Sequence, residues 1–234
     1  MAVNQGLALP KDITSHVIEF IARTVHFLVQ QERRHSRRTS LFGLSTLVKG
    51  QKMERFPIHT IESAPEQSKA ALQSLKAAFG MVPNIAGAMA TSPILINSLV
   101  GLFQRVHGGS FTEAQIQTLL LTNAVTNACT WAVAFHTALA LKEGLDPADV
   151  SAIREGRAPK DRRYAALSAL ARTLIEKRGR LDDRDVDQFT DAGFGKDLVL
   201  EVIAVIAAST ITNYTGSVTK PALDAPFQAY VWNH

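Results

Sequence analysis

The chain's central motif lies in residues 127–145, which read NACTWAVAFHTALALKEGL. The stretch contains Cys129, the one cysteine among the 234 residues, and His136 seven positions later. Seven residues are close to two turns of an α-helix, so the two side chains are expected to point the same way. A thiol beside an imidazole can act as a nucleophilic or redox pair, which makes this stretch the candidate site.

Two interpretations of this pair stay open at this point. If Asn127 caps the helix, Cys129 lies in its first turn, where backbone N–H groups and the helix dipole lower the pKa of a thiol. His136 then lies deeper on the same face and can exchange a proton with the thiol, directly or through water. The alternative is structural, because an isolated cysteine is often a small buried apolar residue and a histidine on an alanine-rich face is often a core group.

The sequence on both sides of the motif predicts helices and no sheet. Helix-start residues, breakers and apolar periodicity predict helices over residues 65–79, 84–90, 93–106, 113–126, 127–143, 147–155, 161–178, 183–191 and 196–213. The last run is rich in β-branched residues, but its length favours a buried central helix. Because no strand ladder or hairpin turn is recognisable, the expected fold class is all-α.

Composition and charge limit the kind of protein this is. With 46% hydrophobic residues the chain can bury a sizeable core, and a single cysteine forms no internal disulfide. The net charge is +5 over residues 1–52 and −1 over residues 53–234. The main body thus offers no electrostatic footprint for nucleic acid, and we expect a soluble cytoplasmic protein without a membrane span.

The change of composition at Met53 predicts two parts. Residues 1–52 form a basic extension, in which residues 12–31 are expected to make one amphipathic helix capped by Asp12. The basic run at 33–40 is interpreted as a solvated linker, with phosphorylation or contact with an anionic surface as the alternative. Residues 53–234 form the main domain.

Signals for metals and common cofactors are missing from the sequence. The histidines are scattered and form no metal-ligand spacing, so no metal is expected. There is no phosphate-binding glycine loop and no G-x-S-x-G elbow, so no nucleotide, flavin or nicotinamide cofactor is expected.

His107, which precedes Gly108-Gly109, is interpreted as a helix end with a turn, and a substrate-facing role is the alternative.

Residues 112–150 resemble the core of the alkylhydroperoxidase D / carboxymuconolactone decarboxylase family. That core is a polar-started helix, a Cys-x-x-Cys-x-x-x-His motif, and a Gly-Leu helix end followed by a short acidic helix. With weaker matches on either side, the resemblance covers about residues 53–228 and is nearest to peroxidase-related members. It implies an all-α fold of helical hairpins that forms a homo-oligomer. The matching stretches are Cys129 to Ala140, Glu143 to Asp146, Val82-Pro83-Asn84, Ser92-Pro93 and Asn213 to Asp224.

The chain departs from the family at residues that matter for chemistry. In peroxidase-like members the second motif cysteine attacks the peroxide and the first resolves the sulfenate as a disulfide, but Ala132 occupies the attacking position. Ala132 also stands where decarboxylase-like members carry a glutamate, four residues before the histidine. A glutamate twelve residues before the first cysteine normally joins the proton relay, and Gln117 stands there. Of that relay, Cys129 and His136 remain.

Three functions follow from the resemblance, with Cys129, His136 and Gln117 as the catalytic candidates. The first is a divergent antioxidant oxidoreductase, in which a hydroperoxide oxidises Cys129, an external thiol reduces it, and His136 is the acid/base group. The second is a catalytically silent oligomeric scaffold or binding member of the fold. The third is a lyase of the carboxymuconolactone decarboxylase type that uses His136.

Overall fold

The computed structural model describes residues 56–233, and within that range the chain is helical with no strands. The predicted amphipathic helix over residues 12–31 and the predicted boundary at Met53 lie outside the described residues. The helices are α1 (Glu66–Phe79), α2 (Asn84–Met89), α3 (Pro93–Val106), α4 (Glu113–Thr126), α5 (Thr130–Lys142), α6 (Pro147–Arg154), α7 (Arg162–Glu176), α8 (Asp183–Asp191) and α9 (Leu198–Thr219), followed by a 3₁₀ helix (Ala225–Tyr230).

Local chemistry sets most of the helix ends where the sequence predicted them. The Thr112 side chain accepts from the backbone N–H of Gln115, and the Gln115 side chain accepts from Thr112 N–H, which forms a capping box at the start of α4. Ser92 caps α3 in the same way, by accepting from the N–H of Leu95. Gly80 ends α1 with a φ of 75°, a left-handed conformation that glycine adopts without strain.

Helix α4 lies at the centre of the described fold. Every residue from Ile116 to Ala124 is buried, because the helix packs against α5, α6, α7 and α9. One apolar cluster is formed largely by α1, α2, α3 and α5, and a second by α4, α7, α8 and α9. The candidate site lies on the side of the first cluster.

Helix α9 is longer than the sequence predicted, since it runs to Thr219 rather than to residue 213. Its last turns contain β-branched residues and Gly216, all of which have low helix propensity. Tertiary packing overrides that propensity, because Asn213, Gly216 and Thr219 are buried on the inner face. The hydroxyl of Thr215 also donates to the Ile211 carbonyl oxygen at 2.8 Å.

Within the described part of the chain, α9 is the one helix whose length and composition would also suit a membrane span. It packs against α2, α3, α4, α5 and α7, and Ser209, Thr212 and Asn213 are buried on its inner face. Glu201, near its start, accepts hydrogen bonds from the backbone N–H and the hydroxyl of Ser110. We therefore interpret α9 as a long helix of the bundle that packs on the other helices through its inner face.

Candidate functional site

His136 is a buried residue of α5 that is oriented by a neighbour on α4. Its Nδ1 lies 3.0 Å from Oε1 of Gln117, and the residue is 3% exposed. An amide oxygen only accepts hydrogen bonds, so Nδ1 carries the proton and Nε2 presents its lone pair. Among the described residues, none hydrogen-bonds to Nε2. Gln117 thus sets the tautomer of the imidazole.

The surroundings of His136 keep its ring neutral. Burial, and to a smaller extent the charge that His107 carries when protonated, lowers the pKa of His136 from 6.5 to about 3. A glutamate in place of Gln117 would offset that burial with a negative charge, whereas the amide adds none. At neutral pH the ring is therefore a hydrogen-bond acceptor at Nε2 that retains a proton poorly.

His136 lines a cavity of about 110 Å³ enclosed by α1 to α5 and α9, which we call the His136 cavity. A cavity of roughly 150 Å³ is known to hold a single benzene ring, so this smaller one suits a molecule of at most about one ring. Apart from His136, the side chains with polar atoms that line it are Trp131, His107 and Thr212. The remaining wall is apolar, so a ligand would exchange water mainly for hydrocarbon.

Aromatic side chains form much of that wall and are held in place from outside. The rings of Trp131 and Phe135 stack with centroids 4.9 Å apart, and Phe79 meets Phe135 edge-on at 5.3 Å. The Trp131 indole donates to Oδ2 of Asp224 at 3.1 Å, while Oδ1 of Asp224 accepts from the backbone N–H of Asn84 at 2.9 Å. Asp224 thus joins the C-terminal segment, α2 and the aromatic wall.

His107 also lines the His136 cavity. This position is compatible with a substrate-facing role, which was the alternative considered for His107 from the sequence. It is the C-cap of α3, as the glycines after it predicted, and its ring stacks on Phe103. Its Nδ1 lies 2.9 Å from both carboxylate oxygens of Glu113. A carboxylate so placed keeps a hydrogen on Nδ1 of His107.

The position of Cys129 corrects two sequence expectations. Asn127 ends α4 rather than capping α5; Ala128 makes the turn with a φ of 51°, and Cys129 itself is the N-cap of α5. Its extended backbone (φ −89°, ψ 94°) takes the side chain off the helical face that carries His136. Of the two expected routes for sharing a proton, the direct one is absent, because no hydrogen bond joins Cys129 to His136 within the described structure.

The expected lowering of the thiol pKa is also wrong in direction. Burial raises the pKa of Cys129 above its ordinary value, although the backbone N–H groups of Ala132 and Trp131 act in the opposite sense. Near a helix start the amides do approach the sulfur, but the cost of placing a charge in an apolar environment is larger.

Cys129 lines a separate cavity of about 350 Å³, which we call the Cys129 cavity, together with Gly216, Ser217 and Lys220. The sulfur lies so near α9 that a Cβ added to Gly216 would come within 2.7 Å of it. The three site candidates are therefore divided: Gln117 contacts His136, which lines one cavity, and Cys129 lines another.

Sequence reasoning missed two residues of the site. Thr212 and Asp224 lie far from the motif in sequence, and helix packing brings them to it. The signal available for Thr212 was the change from the mainly apolar residues 198–208 to a segment with Ser209, Thr210, Thr212 and Asn213. The described residues contain no group of three or more His, Cys, Asp or Glu side chains suited to a metal ion.

Solved structures share this arrangement of helices. An uncharacterized peroxidase-related protein from Ralstonia eutropha JMP134, an alkylhydroperoxidase AhpD core, aligns with a TM-score of 0.66 and 15% identity over 76% of this chain and 96% of its own. A peroxidase-related protein from Silicibacter sp. TM1040 aligns with a TM-score of 0.64 and 18% identity over 78% of this chain and 97% of its own. The chain thus has the alkylhydroperoxidase D-like all-α fold, as the resemblance predicted.

A protein with another activity has the same fold. The debrominase Bmp8 aligns with a TM-score of 0.64 and 16% identity, over 77% of this chain and 96% of its own. A cysteine-to-alanine variant of Bmp8 is seen in complex with 2,3,4-tribromopyrrole, with a TM-score of 0.64 and 15% identity over 78% of this chain and 97% of that one. No family profile matches the sequence and no curated protein is similar to it, so the likeness is one of fold.

Proposed function

We propose that the chain binds, in the His136 cavity, a small and largely apolar molecule that carries an N–H or O–H group. The observation that carries this proposal is a neutral imidazole, oriented by Gln117, in an aromatic-lined cavity of about 110 Å³. The ligand's N–H or O–H would donate to Nε2 of His136. The debrominase of the same fold, seen with a small brominated pyrrole, supports this class of ligand.

We expect His136 to transfer a proton during a reaction rather than to hold one between reactions. Because the pKa of His136 is held at about 3, a proton taken by Nε2 is returned to the substrate or to solvent within the same cycle. The side-chain oxygen of Gln117 accepts a hydrogen bond from Nδ1–H throughout and keeps Nε2 directed at the ligand. A lyase of the carboxymuconolactone decarboxylase type, in which His136 moves a proton, is a reaction of this kind.

Two ligands that differ in one group, each measured on the parent protein and on one variant, test this proposal. Phenol has the O–H group, and toluene has a methyl group in its place. His136→Asn keeps an N–H for Gln117 but removes the acceptor at Nε2. Measured by calorimetry or NMR titration, the variant is expected to bind phenol about tenfold more weakly and toluene about as well as the parent.

Equal losses for the two ligands would contradict the hydrogen bond to His136. Binding of neither ligand by the parent protein would favour the silent-scaffold hypothesis. The melting temperature of His136→Asn has to be measured beside the affinities, so that a loss of binding is not confused with a loss of folding.

Reduction of a hydroperoxide by Cys129 is the second candidate function. The observation that favours it is that two backbone N–H groups approach a sulfur bordering the Cys129 cavity, where Lys220 also lies. The thiolate would attack one peroxide oxygen and the O–O bond would break. Cys129 would become a sulfenic acid, and the leaving alkoxide would take a proton from water to become the alcohol. Two external thiols would then restore Cys129 through a mixed disulfide, with release of water and an oxidised thiol pair.

The raised pKa of Cys129 predicts that this reaction is slow at neutral pH and accelerates as pH rises. Cys129→Ser should abolish any consumption of cumene hydroperoxide in the presence of a reducing thiol. Consumption that survives this substitution would end the thiol hypothesis. His136→Ala should leave the rate unchanged if Cys129 works alone, and lower it if the two residues cooperate.

We also propose that the protein works in the cytoplasm as a homo-oligomer. Support for the second part comes from the outer face of α9, where Leu200, Tyr214 and Val218 are 70%, 63% and 61% exposed. Large apolar side chains grouped on one helix are typical of a face that contacts another subunit. Sedimentation velocity on the full chain measures the assembly directly.

A further inference from the structure

Trp131 lines both cavities of the site, the His136 cavity and the Cys129 cavity. Of the residues that line these two cavities, it is the one common to both. The residue is buried, with 5% of its surface exposed. One side chain therefore stands between a space of about 110 Å³ that borders the imidazole and a space of about 350 Å³ that borders the thiol.

The thiol of Cys129 lies close behind the wall of the His136 cavity. A Cβ added to Gly216 would lie 2.7 Å from the sulfur and 3.3 Å from Cδ1 of Ile85, so the sulfur and this methyl group are neighbours. Ile85 lines the His136 cavity but not the Cys129 cavity. The two cavities are thus adjacent in the fold, and side chains rather than a whole helix separate them.

Three contacts hold the indole of Trp131 in this dividing position. Its ring stacks on Phe135 with centroids 4.9 Å apart, and the ring of Phe227 meets it edge-on at 6.4 Å. Its N–H donates to Oδ2 of Asp224 at 3.1 Å. Aromatic pairs in these arrangements and buried hydrogen bonds each stabilise one position of a side chain. Asp224 and Phe227 belong to the C-terminal segment, so that segment positions the indole.

We infer that Trp131 divides one larger space into two, and that it thereby limits the ligand of the His136 cavity to about one ring and keeps that ligand away from the thiol. This inference rests on the proposed function and adds to it the residue that determines ligand size. A smaller side chain should join the two cavities, because a protein relaxes only partly around a deleted core side chain. The joined space would hold a two-ring molecule and place it beside Cys129.

Phenol and 2-naphthol, which carry the same hydroxyl on one ring and on two fused rings, test the limit on size. The parent protein is expected to bind phenol and to exclude 2-naphthol. Trp131→Ala should bind 2-naphthol at least about tenfold more tightly than the parent does, measured by calorimetry or NMR titration. Trp131→Leu retains an apolar side chain of high helix propensity, should change the affinity in the same direction, and takes the place of Trp131→Ala if that variant does not fold.

The reactivity of Cys129 shows where the added space lies. Methyl methanethiosulfonate converts an accessible thiol to a mixed disulfide, which mass spectrometry detects. In Trp131→Ala, saturating 2-naphthol should slow this labelling of Cys129 several-fold. Phe79→Ala is the matched control, because Phe79 is an aromatic residue that lines the His136 cavity but not the Cys129 cavity. In that variant neither phenol nor 2-naphthol should change the labelling rate.

A crystal structure of ligand-free Trp131→Ala gives a readout that does not depend on the proposed function, and one continuous cavity from His136 to Cys129 is expected. Two separate cavities in that variant, an unchanged affinity for 2-naphthol, or labelling of Cys129 that 2-naphthol does not slow would each overturn the inference. Failure of the proposed function is a different result, since phenol would then not bind the parent or would bind equally well to His136→Asn.

Discussion

At the scale of single residues, one amide in place of a carboxylate determines the state of His136. Gln117 contacts Nδ1 as a glutamate would, but it brings no charge that would stabilise a protonated ring. Desolvation therefore dominates, and the imidazole stays neutral. This neutral imidazole, with Nε2 free to accept a hydrogen bond, is the feature on which the proposed ligand binding depends.

The buried neutral histidine has a consequence for stability against pH. Its folded-state pKa of about 3 lies below the ordinary value of 6.5, so between these values the unfolded chain binds more protons than the folded one. The contribution of His136 to the free energy of unfolding should therefore be at its maximum above pH 6.5. It should decrease as pH falls, by up to about 1.4 kcal/mol per pH unit.

Urea unfolding between pH 5 and pH 8 measures this effect, and His136→Asn is the comparison. The other histidines contribute to both proteins, so the difference between the two curves isolates residue 136. Parallel curves from pH 6.5 to pH 5 would mean that His136 titrates alike in the folded and unfolded states.

At the scale of elements, the close approach of α9 to the start of α5 explains how Cys129 is packed. A Cβ at Gly216 would lie 2.7 Å from the Cys129 sulfur and 3.3 Å from Cδ1 of Ile85. Glycine at this position allows the two helices to meet, at a cost in helix propensity of about 1 kcal/mol relative to alanine. The sequence motif could not indicate this contact, because its two partners are far apart in the chain.

Gly216→Ala should lower the free energy of unfolding by about 1–3 kcal/mol through overpacking. In a Cys129→Ala background the obstructing sulfur is absent, so the same substitution should be neutral or stabilising. Gly101→Ala on α3 is the control, because the nearest atom to its added Cβ is Nη1 of Arg105 at 3.5 Å, an ordinary van der Waals distance. Additive effects of Gly216→Ala and Cys129→Ala, measured by urea unfolding, would show that the sulfur does not limit the approach.

At the scale of the whole molecule, the fold persists where sequence similarity does not. The compared structures share 15% to 18% identity with this chain yet align with TM-scores of 0.64 to 0.66. What a fold of this kind needs is a pattern of apolar faces and helix ends, which many sequences satisfy. Activity depends on a few side chains, so a peroxidase-related protein and a debrominase can share the fold.

The sequence alone determined the helices and their order. The signals are local: caps such as Ser92 and Thr112, the stop at Gly80 and the apolar periodicity. The hydrogen bonds at the helix ends and the buried faces of the helices agree with them. The resemblance around Cys129 and His136 then led to the right fold class. The exceptions were the start of α5, where Cys129 rather than Asn127 is the N-cap, and the end of α9, where burial outweighed weak helix propensity.

Only the tertiary structure decided how the site is assembled. Spacing placed Cys129 and His136 on one face, but the extended backbone of the N-cap turned the thiol toward another cavity. The contacts of His136 with Gln117 and of Trp131 with Asp224, and the place of Thr212 in the wall, join segments distant in sequence. Such contacts depend on how helices pack, and the energies that select the packing come from the whole core rather than from any local stretch.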